Sequence, residues 1–293
     1  MKANDIKSLI SQTFKEWNDD KASRLAAALA YYTIISLPAL VILIIDLAGT
    51  ILGEDSARGH VALQLKSLLG QKGAESVQAM IASASNADTK SSWTSILSAL
   101  TLVFGATGVV IQLQDALNTI WEVKTKPGNF VKLFILNRIL SFGMILGIGF
   151  LLLVSLVVSA GLAAFSDHLG KLVPGLEVVW PGIDFSVSVI LISGLFALMF
   201  KYLPDADISW KGVFSGALLT SILFNIGKLL IGLYLGNSDI SSIYGAPGSI
   251  VLILVWVYYS AQIFLLGAEF TQVYARKCGS RIEPKKFAEQ ATS

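Results

Sequence analysis

Six stretches of this chain are each long and apolar enough to cross a lipid bilayer, and nothing else in the sequence limits its fold so strongly. A hydrocarbon core of about 30 Å needs roughly 20 helical residues. The sequence supplies them near 25–52, 93–121, 133–165, 184–203, 210–236 and 249–274. Inside lipid every backbone N–H and C=O must find its partner within the segment, which makes each such run a helix. The expected fold is all-α: a polytopic helical membrane protein with about six spans. Composition agrees, with 54% of the 293 residues hydrophobic and only 14% charged.

Orientation follows from the basic residues. If both termini lie inside, 16 of the 22 Lys and Arg fall on cytoplasmic segments, Arg58, Lys66, Lys72, Lys90 and Lys171 fall outside, and Lys228 lies within a span. Positive charge favours the inner side, so the chain is expected to run N-in, C-in. Residues 1–24 then form a cytoplasmic amphipathic segment, 25–274 the spanning domain with an outer helical loop at 53–92, and 275–293 a basic cytoplasmic tail. In the first segment Ile6, Leu9, Ile10, Phe14 and Trp17 share one helical face. That helix lies either on the membrane surface or packed under the bundle. In the outer loop, Val61, Leu65, Leu68 and Leu69, then Val77, Met80 and Ile81, predict one or two short amphipathic helices. The first apolar run follows a polar segment and is too long for a signal peptide, so it is expected to stay as an anchor.

An ionisable group in mid-bilayer is expensive, and each one is a candidate site. Asp46 in the first span and Lys228 in the fifth, with Asn225 beside it, lie in the outer half; Lys228 either meets Asp46 or snorkels to the headgroups. Pro38 removes a backbone hydrogen bond and predicts a kink in the first span. Gln112 and Asp115 on the second span, and Gln262 and Glu269 on the sixth, lie in the inner half. Asp115 and Glu269 stand level with Arg24 and Arg138, either as ion pairs that set helix register or as a polar, proton-sensitive route. Gly245, Pro247 and Gly248 break the chain before the sixth span, as a tight turn or a re-entrant element. The spacings Gly143–Gly147 and Gly212–Gly216–Thr220 read as close helix contacts.

Catalytic and cofactor signatures are sparse. One cysteine, Cys278, and two distant histidines, His60 and His168, provide no metal-ligand cluster. No Gly-rich phosphate loop with its Lys occurs. No metal, cofactor or nucleic-acid partner and no enzymatic activity are expected; membrane lipids, and a second copy of the chain, are the partners considered.

RLAAALAYYTIISLPAL (Arg24 to Leu40), KYLPDADISWKGVFSGALLTSILF (Lys201 to Phe224) and YGAPGSIVLILVWVYYSAQIFLLGAEF (Tyr244 to Phe270) resemble the YihY/BrkB family of bacterial inner-membrane proteins. The similarity runs over nearly the whole chain. It implies a multi-pass helical protein of the bacterial cytoplasmic membrane and brings no set of catalytic residues. The family's ribonuclease label finds no support in two outer-facing histidines. The expected function is a transporter or flippase-like protein for a lipid or another amphipathic envelope component, with a non-transporting scaffold as the alternative.

Overall fold

The computed structural model describes residues 3–85, 108–126, 180–236, 248–277 and 282–291. Helix α1 (Ala3–Asp19) turns at Lys21, whose φ of 53° is left-handed, into α2 (Ala22–Leu52). After the single residue Gly53 comes α3 (Glu54–Ser85). Next are the helical residues 108–120, here α4, and strand β1 (Val123–Thr125). Then come α5 (Trp180–Tyr202), β2 (Ala206–Asp207), α6 (Trp210–Gly236), α7 (Gly248–Lys277), β3 (Glu283–Pro284) and β4 (Ala288–Gln290).

Helices α5, α6 and α7 are each long and apolar enough to cross a membrane. Helix α2 makes a fourth when its limbs, Ala22–Pro38 and Leu40–Asp46, count as one span bent by 52°. The bend is the one Pro38 predicts: its ring has no N–H to donate and crowds the carbonyl of Ile34. The expected span at 133–165, and 93–107 of the expected second span, lie outside the described residues.

Two expectations are corrected. The outer loop is helical throughout Glu54–Ser85 where one or two short helices were expected, and because Leu65 and Ile81 border one cavity although about 24 Å apart along a straight helix, the run bends back on itself. Gly53, at φ 83°, turns the chain at once, its N–H bonding Gly49 O and its carbonyl taking the Ala57 N–H, both at 3.0 Å. The described residues are also not purely helical. β4 pairs antiparallel with β1 and β3 with β2, so residues 282–291 of the basic tail are stitched to the loops after α4 and α5.

The core divides by depth. One cluster gathers α2, α4, α5, α6 and α7 around Trp121, Phe200 and Leu265. Through it runs an aromatic column: Trp121 against Phe200 at 5.9 Å, Phe200 against Phe264 at 5.1 Å, Phe264 against Phe196 at 5.7 Å, and Phe196 against Phe224 at 5.8 Å. These centroid spacings suit edge and tilted ring contacts. A smaller cluster, Val41, Ile45, Val77, Ile81 and Ile253, joins the far halves of α2 and α7 to α3.

Helices α6 and α7 meet through an interlock that the Gly216–Thr220 spacing anticipates. A Cβ added to Gly267 would fall on the Thr220 hydroxyl, and one added to Gly216 on the Thr271 hydroxyl. Each threonine donates 2.7 Å to the carbonyl four residues earlier, Thr220 to Gly216 and Thr271 to Gly267. The hydroxyls are satisfied within their own helices, and the glycines let the two backbones close.

Candidate functional site

The polar groups of the described bundle concentrate at the end where α1, the α4–β1 turn, the α5–α6 loop and the tail converge. Two networks lie there, one built on α7 and one on the loop after α5.

Glu269 is the centre of the first. It follows from the apolar run of α7 and is completely buried, with 0% exposure. Neither of its oxygens meets a hydrogen-bond donor among the described residues. Its neighbour is another carboxyl, Asp20, at the corner between α1 and α2. Two carboxyls in contact form a hydrogen bond only when one carries a proton. Asp20 has its pKa pushed up to about 6, first by burial and then by the like charges of Glu16 and Glu122, with the hydrogen bond to Glu269 and then Arg276 opposing. Arg276 is committed elsewhere: it donates 2.6 Å to Glu122 and stands 3.7 Å from Glu16. Two of the four carboxyls, Glu122 and Glu16, thus hold the guanidinium.

The surrounding backbone holds this arrangement in place. Glu122 has φ 54°, a left-handed conformation that is uncomfortable for a residue with a Cβ. It is secured by Arg276 on its side chain and by the Ala291 N–H on its carbonyl at 2.7 Å. Gln272, one turn beyond Glu269, donates 2.5 Å to Ile120 O and so caps the end of α4. Lys277 donates 2.9 Å to the Ser8 hydroxyl, tying α1 to α7.

The second network is the LPDAD loop. Asp205 accepts from Gln114 Nε2 at 3.1 Å, Asn118 Nδ2 at 3.0 Å and Thr125 Oγ1 at 3.2 Å. Its own N–H donates 2.8 Å to Asn118 Oδ1. Lys285 of the tail donates to the carbonyls of Pro204 and Tyr202 at 2.7 and 3.2 Å, and burial pushes its ammonium below the usual lysine range. Lys201 pairs with Asp207 at 2.5 Å, a hydrogen bond that holds the Asp207 carboxyl below its usual range. A third strip of polar contacts, Ser188 to Asn225 at 3.1 Å and Ser193 with Ser221 at 2.6 Å, joins α5 to α6.

The residues singled out from sequence are placed unevenly. Glu269 is buried at the first network, but the cation acting on it is Arg276; Arg24 is exposed on α2, and Arg138 lies outside the described residues. Asp115 is exposed and Gln112 half-buried, whereas Gln114 and Asn118, four apart on the neighbouring face of α4, are buried. The polar contacts of α4 with the rest of the described bundle are therefore made by Gln114 and Asn118, on the face beside Asp115. Asp46 is exposed, Lys228 half-buried, and no ion pair joins them among the described residues. Asn225 is buried against α5, and the Gln262 Oε1 is buried without a partner. Pro38 sits at the bend and Gly248 opens α7, while Gly245 and Pro247 lie outside the described residues. Among the described residues no three His, Cys, Asp or Glu side chains converge as a metal-binding group.

Asp20, Asp205, Gln114, Asn118, Gln272 and Arg276 were missed as site residues. The usable signals were the three-residue step from Glu269 to Gln272 and the two acids closing the KYLPDAD stretch.

Comparison with known proteins yields a family and relatives named as membrane proteins. The family model described as virulence factor BrkB matches residues 13–291. A UPF0761 membrane protein of Pseudoalteromonas translucida is 27% identical over 262 residues, covering 86% of this chain and 81% of the relative. One from Psychrobacter sp. is 24% identical over 285 residues, or 96% of this chain and 50% of its own length. Another, from Verminephrobacter eiseniae, is 30% identical over 174 residues, 58% of this chain and 39% of the relative. The chain thus spans about half or less of the latter two. No solved structure matches. With a family model matched from residue 13 to residue 291 and relatives named as membrane proteins, the chain belongs to the virulence factor BrkB family of UPF0761 membrane proteins.

Proposed function

We propose that this protein is a transporter or flippase-like protein of the bacterial inner membrane, handling a lipid or another amphipathic envelope component, with the Glu269–Asp20 carboxyl pair as its proton-responsive element. The observation that carries this reading is Glu269 itself: a wholly buried carboxyl within a membrane-grade helix, facing a second carboxyl. Such a group is costly in a bundle that only needs to hold together, and functional by default in a membrane protein. The 52° bend of α2 supports the same reading, because broken helices are the parts that alternating access uses. The test is flux of a fluorescent phospholipid across proteoliposomes holding the purified chain, at internal pH values from 5.5 to 8. Flux above empty liposomes that loses its pH dependence in Asp20→Asn and Glu269→Gln supports the proposal. Flux equal to empty liposomes at every pH sinks it.

A second reading, a non-transporting scaffold, is favoured by α1. That helix docks Leu9 and Thr13 inward yet leaves Ile6, Ile10 and Phe14 about half exposed. It predicts that deleting residues 3–19 abolishes the cellular phenotype while Glu269→Gln is silent.

A further inference from the structure

At the end of the bundle remote from Glu269, α3 and Ile45 of α2 border a half-open cavity of about 300 Å³. Its wall is apolar, made by Ile45 of α2 and by Val61, Leu65 and Ile81 of α3, and its polar contributors include Arg58 and Gln78. Ile45 and Ile81 also belong to the buried cluster that fastens α3 to α2 and α7, so the wall is a face of the folded core. The volume lies at the low end for small-ligand pockets, about 300–1,000 Å³. It suits one acyl segment better than a whole lipid.

The charge at the cavity selects the occupant. Arg58 donates through Nε and Nη2 to one oxygen of Glu54, at 3.1 and 2.7 Å. Both partners are more than half exposed, at 51% and 66%, and an exposed pair four residues apart on a helix is a weak tie. A guanidinium presents a planar fork that matches phosphate in a bidentate manner, so a lipid phosphate competes with Glu54 on favourable terms. Gln78 has an amide donor for the same headgroup. Because α2 is itself apolar enough to count among the spans, bilayer lipid is at hand beside the cavity.

We infer that this cavity binds an anionic phospholipid, with one acyl chain along Ile45, Val61, Leu65 and Ile81 and the phosphate on Arg58. As a step in transport this rests on the proposed function; as a binding site it does not. The test is native mass spectrometry of the full chain in detergent with phosphatidylglycerol or phosphatidylcholine of identical chains, and with dodecyl phosphate or inorganic phosphate as competitor. Expected are phosphatidylglycerol adducts several-fold above phosphatidylcholine, reduced to the phosphatidylcholine level by Arg58→Gln. Ala62 also lines the cavity; Ala62→Trp, which fills it, should remove both adducts, with the melting temperature checking that the variant folds. Dodecyl phosphate should displace the lipid and inorganic phosphate should not. Equal adducts for both lipids, adducts unchanged in Ala62→Trp, or displacement by inorganic phosphate alone would overturn the inference. Glu269→Gln and Asp20→Asn should keep the adducts whatever they do to flux, so failure of the transport reading is seen separately.

Discussion

The α6–α7 interlock makes a prediction whose size can be worked from contacts. In Gly267→Ala the new methyl would overlap the Thr220 hydroxyl and come within 2.8 Å of its Cβ, so the helices must separate. The hydroxyl cannot turn away freely, because it is bonded to Gly216 O and a β-branched side chain in a helix is stiff at χ1. Overpacking of this kind typically costs about 1–3 kcal/mol. Replacing Gly by Ala within a helix returns about 1 kcal/mol of propensity. The net expectation is ~0–2 kcal/mol of destabilisation against wild type, and about 1–3 kcal/mol against a helical Gly→Ala control without the overlap, which lowers the melting temperature by roughly 2–12 °C relative to that control. The assay is thermal unfolding in mild detergent followed by tryptophan fluorescence. Gly194→Ala on α5, where an added Cβ meets nothing within 4 Å, is the matched control and should be neutral or slightly stabilising. Adding Thr220→Ala to Gly267→Ala removes the overlapping hydroxyl but leaves the Cβ of residue 220 within 2.8 Å of the new methyl, so it should restore part of the loss. If Gly267→Ala melts with the Gly194→Ala control, or if Thr220→Ala restores nothing, then close approach is not what holds these helices.

Three further outcomes follow from the two networks and the bend. Asp205→Ala leaves Gln114 Nε2 and Asn118 Nδ2, on residues only 6% and 9% exposed, without their acceptor. At about 1–3 kcal/mol for each orphaned donor it should destabilise by ~2–6 kcal/mol, and tryptic cleavage at Lys285 and Lys286 should accelerate. Asp20 has a folded pKa raised to about 6 from an ordinary 3.8, so its docked state binds a proton the more tightly. Its contribution to α1 docking is therefore full below about pH 4 and lost as pH rises through 6. That rise corresponds to about 3 kcal/mol for a dry group, which solvent screening of a half-buried one reduces to ~1–2 kcal/mol. Asp20→Asn should flatten the dependence of melting temperature on pH between 4 and 7, and an unchanged slope would refute the assignment. Pro38→Ala returns an N–H to α2 and should reduce its bend, read as a longer spin-label distance between residues 24 and 46 by pulsed electron resonance.

Much of the spanning architecture was legible in the sequence, and the reason is the bilayer. The expected segments 210–236 and 249–274 lie within a few residues of α6 (Trp210–Gly236) and α7 (Gly248–Lys277), because a long apolar run has few alternatives in lipid. Pro38 announced the bend, since a missing donor acts locally. The strands were not legible: at two or three residues they are too short for an alternating pattern, and their partners lie more than 75 residues away. The helical continuity of α3 was missed because its apolar positions fall into two groups, which read as two short helices with a break between them.

The site shows the same division between local and distant information. On α4 the run QLQDALNTIW has polar residues on adjoining faces, and periodicity alone does not say which face turns inward. Asp205 decides it, 87 residues from Asn118, by accepting from Gln114 and Asn118 while Asp115 stays exposed. Glu269 was recognisable because an acid in an apolar helix is costly, yet Arg24, one of the two cations expected level with it, is exposed, and Arg138 lies outside the described residues. The reason is positional: Arg24 is level with Glu269 but faces outward, and the left-handed turn at Lys21 brings Asp20 to it instead. The consequence concerns motion. Arg276 and Gln272 bind the end of α4 to α7, while Asp205, Thr125 and Lys285 bind α4, the α5–α6 loop and the tail to one another. A displacement of α7 against α4 must break the Arg276–Glu122 and Gln272–Ile120 contacts together. The Glu269–Asp20 contact would travel with that step, because Arg276 and Lys277 tie α1, and with it the corner at Asp20, to α7.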